Sequence, residues 1–242
     1  MDFAFIGLLC KRTGAVAVVP EYSLAPELPF PHALNEIEYM YRWVVGGGLG
    51  FVPSRLVLVG ESAGGNLMTS LCIRLVKAKY ISQAEPDLLM PTGLCMAYPA
   101  LNLALSPSPS RSLHMCDPML AYGVLHTCCK AYVPPGKDAT VDCEISPAFT
   151  PGEVLRHFPP CALMGGGMDP LLDDAVDFFV QLRRSKVKSK MSVFRNLPHG
   201  FWSLGDFLPD ANTAVNTAIE WVGEMCHSEH PFEEGDGDAM EC

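Results

Sequence analysis

Three residue types suited to acyl-transfer chemistry sit at three telling places in the chain. Ser62 lies in "LVLVGESAGGNL", where an apolar run breaks on a glycine-flanked serine and resumes with helical spacing. Asp169 follows the apolar run "CALM" within "GGGMDPLLDD", and His199 follows "KMSVFRNL" within "PHGF". A serine hydroxyl is a weak nucleophile until a base takes its proton, and an imidazole base works best when a carboxylate fixes its orientation. The chain order serine, acid, histidine is the one expected when the nucleophile rides a strand-to-helix turn.

Gly60-Glu61-Ser62-Ala63-Gly64 fits the G-x-S-x-G pattern. A side chain at the tip of so tight a turn takes strained dihedrals, and Gly60 and Gly64, with Gly65 crowded beside them, leave out Cβ atoms at the positions two before and two after Ser62 that would collide. The helix N-terminus that follows Ser62 would aim unpaired N–H groups at a developing oxyanion. Asp173 and Asp174 compete with Asp169 for the acid role but read as first-turn helix residues, and Glu61 reads as an anchor of the turn. Glycine-rich helix start, turn-capping Asp169 and loop His199 are the plain alternatives for each residue taken alone.

These residues need a frame. Apolar strand-like runs alternate with amphipathic stretches. Ala15–Pro20, Arg55–Val59, Gly93–Tyr98, Cys161–Met164 and Lys190–Leu197 read as strands. "HALNEIEYMYRWVV", Gly64 to Ala78, "DDAVDFFVQLRRSK" and Ala211 to Cys226 (with Asp210 as N-cap) read as helices, and the N-terminal "MDFAFIGLLCKRTG" as a helix leading into the first strand. Alternation of this kind implies an α/β fold with a mostly parallel sheet flanked by helices. Chemistry then belongs beyond the carboxyl ends of the strands. The long Pro-, Ser- and Met-rich stretch 99–160 interrupts the alternation and reads as a cap-like insertion whose Met115, Met119 and Leu120 suit either an apolar acyl pocket or ordinary packing.

Composition narrows the classes. The chain has 242 residues, 49% hydrophobic and 18% charged, as a globular protein should. Net charge is −10, but the last sixteen residues hold six acids and no Lys or Arg; without them 21 acids face 17 bases. Residues 227–242 therefore read as an acidic, disordered tail on a domain spanning 1–226. No basic surface for nucleic acid is indicated. No apolar run reaches the ~18 residues of a membrane span, and the acid at position 2 makes a poor signal peptide. Ten scattered cysteines without C-x-x-C or zinc spacing suggest reduced thiols and a cytoplasmic protein. Neither a metal site nor a cofactor is expected.

With "EYSLAPELPFPHAL", "GESAGGNL", "SPAF", "DPLLDD" and "LPHGF" in that order, the sequence resembles the hormone-sensitive lipase family of α/β-hydrolases. The resemblance implies an α/β-hydrolase fold and cofactor-free hydrolysis of carboxylic esters, from small acyl esters to acylglycerols. It makes Ser62 the nucleophile, Asp169 the triad acid, His199 the base and the Ala63 N–H an oxyanion donor. The partner implied is a small-molecule ester or lipid substrate, with contact to a lipid surface left open. The sequence departs from the family in one respect: only 21 residues precede Tyr22, and they hold no His-Gly-Gly-Gly loop and none of the first strands. Gly46–Gly48 fall at the wrong end of the sheet to replace that loop, and Gly165–Gly167 are committed to carrying Asp169. Two other readings therefore stay open, a catalytically impaired fragment and a non-catalytic small-ligand binder on the same scaffold.

Overall fold

The computed structural model describes residues 3–232. Helix α1 (Phe3–Thr13) and helix α2 (His32–Val45) precede strand β1 (Val57–Glu61) and helix α3 (Ala63–Val76). Strand β2 (Gly93–Ala97) leads into the interrupting stretch, with helix α4 (Pro109–Leu113), helix α5 (Tyr122–Tyr132) and helix α6 (Gly152–Leu155). Strand β3 (Cys161–Gly166), helix α7 (Leu172–Arg184), strand β4 (Ser189–Phe194) and helix α8 (Pro209–His227) complete the order. The four strands are all parallel, paired in the sequence order β1-β2-β3-β4.

Strand periodicity sorts the core into two layers. Leu58, Leu94, Met96, Cys161 and Leu163 face one hydrophobic cluster, which includes buried residues of α2, α3 and α7. Cys95, Ala97, Ala162 and Met164 face the other, built with α1 and α8. Helices therefore cover both faces, and β2 and β3 are buried along their whole length. That is why these strands read as unbroken apolar runs.

One predicted strand does not form. Ala15–Pro20 carries no helix or strand pairing, and Val16, Val18 and Val19 are exposed. β-branched composition favours a strand only where a neighbour supplies a ladder, and no described strand runs beside this segment. A cleft of about 660 Å³ lies there instead, lined by Val16–Val19 together with Val57 and Val59 of β1. The Leu56 carbonyl accepts from Thr92 and the Ser62 N–H donates to Ala97, so even-numbered backbone groups of β1 face β2. Val57 and Val59 consequently turn theirs toward the cleft.

Two smaller corrections concern the last helix and the tail. Asp210 is not the N-cap of α8: Leu208 takes that place and Pro209 the first helical position, where its fixed φ and missing N–H cost nothing. Of the acidic tail, residues up to Phe232 are described. Phe232 is buried, its N–H donates to Glu224, and the Lys190 ammonium lies over its ring. The rest of the tail lies outside the described residues.

Candidate active site

Ser62 stands between β1 and α3 with φ 51° and ψ −119°, a left-handed backbone that costs a non-glycine residue about 1–3 kcal/mol. Bonds on both sides hold it there. Its N–H donates to Ala97 and its carbonyl accepts from Ala100 and Asn66. Two of the three flanking glycines are sterically required. A Cβ on Gly60 would meet the Gly64 carbonyl oxygen at 2.4 Å, and one on Gly65 would meet Pro99 at 2.8 Å. Gly64, expected to avoid a collision of its own, has open space where its Cβ would be. The crowding falls on its carbonyl instead.

The His199 Nε2 lies 2.8 Å from the Ser62 Oγ, and the His199 Nδ1 lies 2.8 Å from an Asp169 carboxylate oxygen. With the proton on Nδ1, as the carboxylate favours, Nε2 accepts from the serine hydroxyl. Asp169 is fully buried, and its other oxygen accepts the Leu171 N–H at 2.7 Å. His199 is buried too. Three side chains far apart in sequence therefore form one continuous hydrogen-bonded line at the carboxyl ends of β1, β3 and β4.

The glycine run before Asp169 has a second use. A Cβ on Gly166 would strike the Leu197 carbonyl oxygen at 2.4 Å, and one on Gly167 the Arg195 carbonyl oxygen at 2.3 Å. Without side chains there, the loops bearing Asp169 and His199 lie backbone against backbone. Gly167 donates to Phe194 and Met168 to Leu197. Gly46–Gly48 merely close α2, with Gly46 as its C-cap.

The competing acids are engaged elsewhere. Asp173 accepts the Ser110 N–H at 2.7 Å, and Asp174 pairs with the buried Arg111 guanidinium at 2.6 Å. Burial pushes the Asp174 carboxyl up to about 7, against the pull of Arg111. Glu61 accepts from the Tyr98 hydroxyl. Burial first, then the Glu61 charge, pushes that phenol far above its ordinary range, so it stays protonated. The Tyr98 ring meets the His199 ring edge-on at 4.9 Å.

Burial raises the Cys95 thiol to about 12 and raises that of Cys72 as well, so these two stay protonated. Among the described residues no cluster of three His, Cys, Asp or Glu side chains could hold a metal ion, and no helix is long and apolar enough to cross a membrane. Ala63 opens α3, so its N–H has no partner within the helix. Tyr98 and Asp117 are two site-forming residues that sequence reasoning missed. Asp117 could have been suspected from "CDPML", an Asp-Pro turn too polar for its apolar surroundings.

A family model described as the alpha/beta hydrolase fold matches residues 1–203. The chain belongs to that family. Within the alpha/beta hydrolases, it is 41% identical over 124 residues to hormone-sensitive lipase of Ictidomys tridecemlineatus, covering 50% of this chain and 15% of that protein. It is 28% identical over 221 residues to an esterase of Acinetobacter venetianus, covering 90% of this chain and 67% of that one. The solved structure of a hormone-sensitive lipase from a metagenome library superposes with a TM-score of 0.79 at 26% identity, over 92% of this chain and 70% of that one. The chain thus spans a small part of the vertebrate lipase and about two-thirds of the bacterial enzyme.

Proposed function

We propose that this alpha/beta hydrolase cleaves carboxylic esters through an acyl-enzyme, with Ser62 as nucleophile, His199 as base and Asp169 as the carboxylate that orients the imidazole. The observation carrying this reading is the unbroken line of two 2.8 Å contacts from the Ser62 Oγ through His199 to Asp169. Ser62 Oγ attacks the acyl carbon while its proton passes to Nε2. Collapse of the tetrahedral intermediate breaks the ester C–O bond, and the imidazolium returns the proton to the departing alkoxide. Water, deprotonated by the same Nε2, then adds to the acyl carbon, and the acid leaves as the Ser62 Oγ–acyl bond breaks and the imidazolium returns its proton to Oγ. Asp169 stays ionised and stabilises the imidazolium. Similarity to esterases and to hormone-sensitive lipase supports apolar acyl esters or acylglycerols as substrates.

The Ala63 N–H is the oxyanion donor the geometry offers. Removing one donor from such a site lowers turnover by on the order of 10²–10³. The stretch between β2 and β3 covers one side of the site. Nine free cysteines among the described residues fit a reducing compartment such as the cytoplasm.

A fluorophosphonate ester tests the proposal on the full chain. It should label the wild type and leave Ser62→Ala unlabelled, in parallel with p-nitrophenyl acetate hydrolysis. Equal labelling of the two proteins, or none of a folded wild type, would overturn it.

A further inference from the structure

We infer that Asp117 is a positioning residue that ties the His199 backbone to the stretch covering the site; the inference rests on the hydrolase reading above. Asp117 lies between α4 and α5, more than eighty residues before His199, and is buried. One carboxylate oxygen accepts the His199 N–H at 3.0 Å. The other accepts the Met119 N–H at 2.8 Å and the Leu120 N–H at 2.7 Å. Its own N–H donates to His114. A single side chain thus holds three backbone donors, one on the base and two on the neighbouring turn.

Burial makes this arrangement matter. A charge taken out of water needs hydrogen bonds in exchange, and all three donors here are backbone groups that cannot rotate away. The ring of His199 is held at its two nitrogens by Ser62 and Asp169 and at its edge by Tyr98. Those contacts orient the ring. The Asp117 contact instead locates the Cα from which the ring hangs, next to the left-handed Gly200. The Met119 methyl packs over Gly200, 3.7 Å from where a Cβ would stand. Met119 and Leu120 are therefore placed relative to the base by the same carboxylate that fixes the base.

Asn at position 117 separates the two connections. It has one acceptor oxygen, which the turn with two donors claims, leaving an amide NH₂ facing the His199 N–H. The Met119–Leu120 turn survives and the base connection is lost. Asp117→Asn should lower kcat on p-nitrophenyl acetate about 10- to 100-fold, as displacement of a catalytic group does. KM should change by less than about threefold, since ground-state binding is untouched. The rate of fluorophosphonate labelling should fall in parallel, and the downfield Nδ1–H proton resonance of the His199–Asp169 pair should weaken. Asp138→Asn, which removes an exposed carboxylate holding a similar turn at Thr140, should leave all three readouts unchanged.

Asp117→Asn with kcat and labelling within twofold of wild type would overturn the inference. So would wild-type amide exchange at His199 as fast as at the exposed Val16. That exchange measurement decides the matter if the variant loses its cooperative melting transition. A wild type that is folded but unlabelled would sink the hydrolase reading alone, and slow His199 amide exchange with an intact Nδ1–H resonance would still support Asp117 as the anchor of this loop.

Discussion

The carboxyl end and the outer edge of β1 belong to differently finished parts of the molecule. At its carboxyl end, Ser62 is pinned by Ala97, Ala100 and Asn66, and the rim around it is closed by His199, Asp169 and Tyr98. Along its outer edge, Val57 and Val59 face a cleft whose far wall is the unpaired segment Ala15–Pro20. The rim is ordered by hydrogen bonds that stay within β1 to β4 and the loops following them. The edge has apolar side chains but, among the described residues, no ladder. The hydrogen-bonded line from Ser62 to Asp169 therefore draws on strands to one side of β1 only.

Four perturbations would break or sharpen that contrast. Ser62→Ala should have the largest effect, removing labelling and cutting turnover by as much as roughly 10⁶-fold, as loss of a serine nucleophile does in comparable triads. Activity assays and intact mass after labelling check it. At pH 8, Asp174→Ala should destabilise the fold by about 3–5 kcal/mol, because it strands the buried Arg111 charge; urea denaturation reads this. Gly166→Ala should cost about 1–3 kcal/mol by forcing a methyl against the Leu197 carbonyl. Labelling should slow with it, since the same push moves the His199 loop. Val16→Lys with Val18→Lys should be mildest. These changes should leave unfolding within about 0.5 kcal/mol and labelling unchanged, while reducing self-association in light scattering, since charges on a bare edge discourage pairing. Slower labelling in that double variant would show that the edge and the rim are coupled.

Much of this was legible in the sequence because it depends on local pattern. Strands buried on both faces read as continuous apolar runs, so β1 to β4 were found to within a few residues. The turn at Ser62 was marked by glycines, and chain order placed Asp169 and His199 at neighbouring strand ends. Ala15–Pro20 failed for the complementary reason: its composition is that of a strand, but pairing is decided by what lies beside it. Asp117 and Tyr98 were harder. Their importance comes from contacts with residues 37 and 82 positions away, and no periodicity announces such a contact. The competing acids could be ranked as first-turn helix residues, yet only the fold revealed that Arg111 and Ser110 occupy them.

The pitch of the sheet sets one further condition. Ser62 follows β1 and Asp169 follows β3, with β2 between them, so their anchoring backbones are separated by two interstrand steps, or roughly 9–10 Å. No direct bond can cross that gap, whereas the Ser62 and Asp169 side chains and an imidazole hydrogen-bonded at both nitrogens together bridge it. The intervening strand supplies no reacting group of its own, but Tyr98, which follows it, sets its ring against the bridging imidazole. Trimming that ring would remove the aromatic contact on which the bridging imidazole rests.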